Sequence, residues 1–594
     1  MVDSKSKKHA TDKKKTGNAS PAETHEFQAE VSKLLDLMIN SLYKDKDIFL
    51  RELIANASDA CDKLRYAAIT KAELMADDSN LRVSISFDKE NRTLTIADNG
   101  IGMSHNDLVE NLGTIARSGT ESFLKQLKNE EDADNNLIGQ FGVGFYSSFM
   151  VATHVEVVTK HASDKSGWRW ESKGKGKFSI KPDEKAKRGA RITLHLKKSE
   201  EEFLDETRIR HIVSTYSDHI ALPIELITND KPAEVLNEGS AIWTKSSGSI
   251  TDEQHKEFYN HVAHLPGDPW LNIHLKAEGR IEYTSLLYVP DMRPFDLFDP
   301  VRKHSVRLYV KRVFISDNCE GLLPGYLRFM RGIVDSNDLP LNISRETLQH
   351  NPILAKISSG IVKKVLSELD KKAKKDPEEY IKFWENFGAV IKEGIYEAAD
   401  QSTKLTKLAR FRSLANPEKW ISLDEYVKDM AKGQEAIYYL SGDSKESLDK
   451  SPQLEGFKAR GIDVLFMTDP VDQFWLPTAA NFDDKPFRSI TQGSTDLDNF
   501  ETIEKDDGDS VNKAVTSEGD MDKLVAMVKL TLGDAVKDVR TSSRLTDSPV
   551  CLVADEGDVD MHFERLLRQH QQPVTGQKRV LEINPSHSLI STLI

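Results

Sequence analysis

The run Phe49-Leu50-Arg51-Glu52-Leu53-Ile54-Ala55-Asn56-Ala57-Ser58-Asp59-Ala60 constrains this chain more than any other stretch. At 100° per residue, Glu52, Asn56 and Asp59 fall within about 60° of one another on a helix. Phe49, Leu53, Ala57, Ala60 and Leu64 fall on the neighbouring face. The three polar residues therefore line the edge of a buried face, where a cleft needs them. A solvated polar stripe is the plainer alternative. Two glycine-rich turns follow, Asp98-Asn99-Gly100-Ile101-Gly102-Met103 and Gly139-Gln140-Phe141-Gly142-Val143-Gly144-Phe145.

Each feature suits a different part of Mg-ATP. A carboxylate at position 52 can take a proton from an attacking water. The Asn56 amide oxygen can help hold a hydrated Mg²⁺ between triphosphate and protein. Asp98, at a strand end, can accept a hydrogen bond from an adenine amino group. Gly100 and Gly102 let backbone approach the ring, although an ordinary Asx turn explains the same hexapeptide. Gly142 and Gly144 free N–H groups to face phosphates, with a helix N-terminus adding its dipole. Each signal is weak alone. Three in fixed order predict a pocket that binds and hydrolyses ATP. Between the turns, Glu110 to Thr120 holds Gly113, Gly119, small hydroxyls and Arg117, and predicts a lid over 113–142; a plain connector is the alternative.

The chain has 594 residues, which predicts three or four domains. Its net charge of −14 argues against nucleic acid as the main partner. Three dispersed cysteines, Cys61, Cys319 and Cys551, make no metal-ligand spacing and fit a reducing compartment as buried apolar residues. No apolar run reaches membrane-spanning length. The lysine-rich start has no apolar core of a signal peptide and reads as a disordered basic tail over 1–24.

Helical periodicity begins with Phe27, Val31, Leu34, Leu35, Met38 and Leu42, and a second helix is expected over Asp47–Tyr66. Alternation predicts a hairpin of Leu81–Phe87 and Thr93–Ala97, and strands at Val155–Thr159 and Arg191–Leu196. Ser104 with Asp107 forms a capping-box pattern. The first domain is placed at 25–230, a polar linker at 231–250, and a middle domain at 251–491. Within the middle domain, strands are expected at Ile281–Val289 and Val306–Ile315, long helices over much of 345–430, and a strand–helix–strand unit from Ala436 to Met467. A polar boundary at 492–520 precedes a last domain at 521–594, with strands at Val550–Ala554 and Val580–Ile583.

With these motifs in hand, the chain resembles the ninety-kilodalton heat-shock chaperone family, and within it the bacterial branch. The resemblance rests on the 49–60 run, the 111–120 run, Gly139–Ser147, Glu282-Tyr283-Thr284-Ser285-Leu286-Leu287-Tyr288 and Asp338-Leu339-Pro340-Leu341-Asn342-Ile343-Ser344-Arg345-Glu346. It implies an α+β multidomain chain. An N-terminal α/β-sandwich ATPase of the gyrase, heat-shock, histidine-kinase and mismatch-repair type comes first. An αβ middle domain and a mixed α/β C-terminal dimerisation domain follow. The family pattern implies that Glu52 is the general base, that Asn56 binds Mg²⁺, and that Asp98 holds the adenine. It places Asp59, Gly102, Met103, Asn111, Arg117, Gly142, Val143, Gly144 and Phe145 around the nucleotide, and brings Arg345 and Gln349 to the γ-phosphate. Arg345 also follows Ser344, a good N-cap, and a cation in a first helical turn opposes the helix dipole, which points to a partner anion.

Two departures stand out. Ala190 replaces a threonine of the family pattern, removing a hydroxyl from the nucleotide site, a loss of ~1 kcal/mol for one hydrogen bond. Family members continue with further helices beyond the position of Ile594, so an incomplete dimerisation domain is expected, with Leu589, Ile590, Leu593 and Ile594 as half of an interface. The function implied is an ATP-dependent chaperone, a homodimeric clamp in the bacterial cytoplasm acting on partly folded clients with possible co-chaperones, and binding neither nucleic acid nor membrane. Met561 and Phe563 are candidate client contacts, or else core residues. The alternative is a nucleotide-independent holdase. A DNA enzyme or histidine kinase of the same superfamily lacks supporting motifs.

Overall fold

The computed structural model describes Lys33, residues 45–114, 142–228, 231–264, 266–299, 305–340, 351–479, 481–492, Leu497, 500–501, 518–555, 557–569 and 576–594. The expected helix from Phe27 to Leu42 and most of 492–520 lie outside them. The chain divides into two units, one of Met1–Ser122, Phe141–Ile209 and Leu226–Ala233, the other of Phe123–Gln140, Arg210–Glu225 and Glu234–Ile594.

In the first unit, helix α1 spans Ile48–Thr70. It contains no glycine or proline, and Phe49, Leu50, Leu53, Ile54, Ala57, Cys61 and Leu64 are buried. Full burial of one such large side chain contributes ~1.5–3 kcal/mol. The start of α1 is held by tertiary contacts instead of a side-chain cap: Arg208 pairs with Asp47 at 2.6 Å, and Phe203 stands edge-on to Phe49. The helix packs on a sheet formed by β1 (Val83–Asp88), β2 (Thr93–Asp98), β3 (Ala152–Lys160), β4 (Gly167–Ser172), β5 (Phe178–Asp183), β6 (Gly189–Leu196), β7 (Ile224–Thr228) and β8 (Lys231–Val235). Its order is β5-β4-β3-β6-β2-β1-β7-β8. The β1–β2 hairpin falls where alternation placed it. The register that matters sets Ala190 opposite Asp98 on one side and opposite Thr159 on the other.

The stretch 231–250, expected as a linker, is structured. It contains β8, and Trp243 is fully buried, donating from Nε1 to Asp335 Oδ2 at 2.9 Å. A lone tryptophan among polar residues was the missed signal.

The second unit begins with a five-stranded sheet that adds β9 (Pro269–Ala277), β10 (Tyr283–Pro290), β11 (Val306–Val310), β12 (Val313–Ser316) and β13 (Arg331–Ser336) in the order β12-β11-β13-β10-β9. The single strand expected over Val306–Ile315 is a hairpin. Lys311 and Arg312 adopt φ of 53° and 65° and reverse the chain without any glycine or asparagine. Arg312 N–H donates to Asp335 Oδ1, and Lys311 N–H to Ser336 O, so tertiary bonds hold an unfavourable turn. Helices α2 (Pro352–Lys375) and α3 (Pro377–Glu397) open alike, with Asn351 and Asp376 capping a proline at the first helical position. The expected strand–helix–strand unit is present, with Ile437–Ser441 parallel to Leu465–Met467. A last sheet orders Asp538–Thr541, Val580–Ile583 and Val550–Val553. All three cysteines are buried and free. Among the described residues no helix is long and apolar enough to cross a membrane.

Replacing Lys311-Arg312 by Asn-Gly should relieve two left-handed residues, raising the unfolding midpoint of this unit by the equivalent of ~1 kcal/mol. Urea melts followed by tryptophan fluorescence measure it; an unchanged or lower midpoint would show that side-chain contacts, and not backbone preference, dominate the turn.

Candidate functional site

Glu52 lies within α1 with only 3% of its surface exposed. Arg51 beside it is equally buried, and its guanidinium donates to Glu52 Oε1 from Nη2 at 2.9 Å and from Nε at 3.3 Å. Breaking such a pair would leave an uncompensated buried charge. The pair fixes the carboxylate, whose second oxygen Oε2 faces Gly144: a Cβ there would stand 2.4 Å from it. Sequence reasoning missed Arg51 because adjacent helical residues do not face each other. The long arginine side chain curls back to its neighbour. Asp59 is buried and Asn56 half-buried on the same edge of α1.

The turn after β2 is seated on backbone. Ile101 N–H donates to Ala60 O at 3.0 Å, and a Cβ at Gly100 would lie 2.5 Å from the Ala60 carbonyl carbon. Gly102 has φ +70°, and a Cβ there would meet Lys160 O at 2.0 Å. These glycines therefore admit the backbone of α1 and β3 at close range. Met103 N–H donates to Thr159 Oγ1 at 3.0 Å, and that hydroxyl donates to Gly189 O at 2.7 Å. Behind the turn, Asn99 bonds Arg82 N–H, Asp78 and Asn80 O, while Arg188 donates to Asn99 O, Leu74 O and Asp78 O. Thr159, Asn99 and Arg188 carry no motif signal, because their partners come from distant segments.

Asp98 Oδ1 accepts from Gly100 N–H at 2.9 Å, so the plain Asx turn is present. The residue is half-buried. Burial raises its pKa to about 7, against the pull of the Gly100 and Ala190 N–H groups. Ala190, its cross-strand partner, is 9% exposed and presents only a methyl where a threonine would offer a hydroxyl.

The Ser104–Asp107 capping box forms reciprocally and opens a short helix that runs into Leu108–Leu112, where Asn111 is half-buried. Tyr146 Oη donates to Leu112 O at 3.0 Å, joining this segment to the second glycine turn. In that turn Gly142 has φ +63°, and Val143 and Phe145 are buried. The helix expected to add its dipole is only a 3₁₀ turn, Gly144–Ser147, followed by the four residues Ser148–Val151. Macrodipole support is correspondingly small. Arg117 and the rest of 115–141, and Ser344, Arg345 and Gln349, lie outside the described residues. Met561 and Phe563, in the second unit, are half-buried: Met561 Sδ lies 3.8 Å from Gln453 Nε2, and the Phe563 ring lies 6.0 Å from that of Phe474.

No group of three or more His, Cys, Asp or Glu side chains that could hold a metal occurs among the described residues. A cation here would take most of its ligands from phosphates and water, as Mg²⁺ does. The site thus offers a buried, oriented carboxylate beside a glycine loop, and a second, half-buried carboxylate at a strand end.

Residues 47–190 match the family of histidine kinase-, DNA gyrase B- and HSP90-like ATPases, and residues 229–594 match the Hsp90 protein family. The chain belongs to the Hsp90 family. It is similar to the chaperone protein HtpG of Rhodospirillum rubrum, 54% identical over 96% of this chain and 92% of the relative. The HtpG proteins of Roseobacter denitrificans and Wolbachia pipientis are 53% and 49% identical, covering 97% and 98% of this chain and 91% and 92% of the relatives. As an Hsp90-family member with this ATPase domain, the chain is an ATP-dependent chaperone that hydrolyses ATP.

Gly144→Ala should keep the fold and cut turnover at least ~10-fold, because the added methyl displaces Glu52 Oε2; wild-type turnover would separate Gly144 from the carboxylate. Asp98 couples to pH in two ways. Its raised folded pKa costs stability as pH climbs from about 4 to about 7, and the cost stays in force above that. A ligand amino group that bonds the carboxylate must also expel the proton below pH 7. ATP affinity should therefore fall toward tenfold per pH unit below about 7. Asp98→Asn should lose nucleotide binding yet melt no lower than wild type at pH 8, read by calorimetry and thermal unfolding.

Proposed function

We propose that this chain works as an ATP-driven clamp on partly folded proteins, with Glu52 as its general base. The observation that carries the reading is the Glu52 carboxylate, one oxygen held by buried Arg51 and the other pressed against Gly144. A carboxylate so oriented can position a water and accept its proton as the γ-phosphate is attacked. Asp98 receives the adenine amino group. Gly102, Met103, Asn111 and Ala190 shape the base side of the site, and Gly142, Val143, Gly144 and Phe145 the phosphate side. Asp59 and Arg117 complete the set. Asn56 supplies an amide oxygen that helps hold Mg²⁺, which when bound neutralises phosphate charge.

The 113–142 segment acts as the lid, and Arg345 and Gln349 of the middle domain bring positive charge and a hydrogen bond to the γ-phosphate. The roles of Arg345 and Gln349 rest on the family pattern, and the lid on its glycines and hydroxyls; the divisions into an ATP-binding domain at 25–230, a middle domain at 251–491 and a dimerisation domain at 521–594 rest on periodicity and on polar boundary stretches. Clients meet the amphipathic helix Met561–Gln569 through Met561 and Phe563. Pairing of two chains is supported by apolar side chains left open on the last domain: Met527, Leu530, Leu589 and Leu593 are 55%, 84%, 53% and 58% exposed. A bacterial cytoplasmic setting, with co-chaperones as further partners, agrees with the bacterial relatives. Neither the fold nor the relatives favour the nucleotide-independent holdase.

Steady-state ATP hydrolysis per chain, followed against protein concentration, tests the clamp. Specific activity rising with concentration is expected; activity absent at every concentration would overturn the reading. Glu52→Ala should bind ATP normally and turn over ~10²–10⁴-fold more slowly. Equal turnover in that variant would remove Glu52 from its role.

A further inference from the structure

Strands β3 and β6 are neighbours inside the eight-stranded sheet, and their register breaks at one point. Ala152 stands opposite Leu196 and His154 opposite His195, so β3 advances two residues where β6 advances one. Thr153 is the extra residue of this bulge, and its Oγ1 donates to His195 O at 3.1 Å. A bulge re-aims the side chains beside it. Ala152, Val155, Leu194 and Leu196 are buried on the core face. His154 and His195, half-buried, come together on the other face.

Their ring centroids are 5.0 Å apart, with the planes at 45°. Neither ring makes a hydrogen bond or an ion pair among the described residues, and His154 Nδ1 is a buried polar atom with no partner there. A buried ring nitrogen left in this way is costly and calls for a partner. Two cationic rings at this separation would repel. As neutral rings the same two are good ligands for a borderline divalent metal. Two imidazoles that share one tetrahedral Zn²⁺, with Zn–N bonds of about 2.0–2.1 Å, bring their centroids to about 5 Å. The observed spacing matches.

The surroundings agree in sign. Glu156 and Glu171 both favour positive charge at His195. Each is already in an ion pair, Glu156 with Arg169 at 2.8 Å and Glu171 with Lys181 at 2.7 Å. They lend a negative field without entering the ligand set, so water completes the coordination.

We infer that His154 and His195 form a two-imidazole site for a borderline divalent transition metal such as Zn²⁺, which clips β3 to β6. Mg²⁺ takes oxygen ligands, so this site is distinct from the cation that accompanies ATP. Its residues play no part in the nucleotide assignments and the inference does not rest on them. A metal that binds only the folded sheet stabilises it by mass action.

The test uses the full chain, stripped with a chelator and titrated with Zn²⁺ by calorimetry, beside His154→Gln and His195→Gln. The chain has seventeen histidines, so the difference between wild type and variants is the readout. Each variant should lose one wild-type site or bind there at least ~10-fold more weakly. Zn²⁺ should raise the unfolding midpoint of the wild type more than that of either variant. Basal ATP hydrolysis with Mg²⁺ alone should be retained in both, which shows that they fold. Cu²⁺ bound to the wild-type chain should show coupling to two imidazole nitrogens by electron paramagnetic resonance, a reading that needs no variant. Equal Zn²⁺ binding by wild type and both variants, or loss in only one of them, would overturn the pair. So would a Cu²⁺ spectrum without two imidazole nitrogens, or displacement of Zn²⁺ by excess Mg²⁺.

Discussion

The nucleotide end of this protein depends on main chain packed directly on main chain. The turn after β2 sits against the carbonyl of Ala60 in α1, the carbonyl of Lys160 in β3 and the β6 strand, with glycines at 100, 102 and 189 where any side chain would collide. Such contacts are short and admit no rotamer adjustment, so they set distances that side-chain packing leaves loose. Asp98 takes its place from them. Desolvation where it sits raises its pKa. Thr159, Asn99 and Arg188 then lock the same turn from the side and the back.

Both candidate carboxylates are held at a cost. Asp98 is kept where charge is disfavoured, and Glu52 is buried with a guanidinium that holds it in one orientation. A solvated aspartate or glutamate would be easier to fold around. Neither would present a dry, directed oxygen to a ligand. Preorganisation of this kind puts the expense into folding and withdraws it from the reaction.

Much of the local structure around the candidate site was legible in advance, for identifiable reasons. Helical spacing placed Glu52, Asn56 and Asp59 together on α1, and alternation with a polar loop placed the β1–β2 hairpin. Where local preference and tertiary contact disagreed, the reading failed. Lys311 and Arg312 are poor residues for a tight hairpin, yet bonds to Ser336 and Asp335 make one. Residues 231–250 look like a tether, yet Trp243 finds Asp335 far along the chain. The glycines at 100 and 102 also admit the backbone of α1 and β3, a packing role that no local pattern announces.

By itself the sequence determined that a polar stripe borders a buried helix face, that two glycine turns follow it, and that the order of these parts matches the Hsp90 family. Those facts rest on periodicity and on residue types that few other folds require together. Only the tertiary structure decided that Arg51 turns back onto Glu52, that Gly144 is the wall against its other oxygen, and that Ala190 is the residue facing Asp98. Each of these is a meeting of side chains or strands whose register is fixed by packing elsewhere, and no local pattern encodes it.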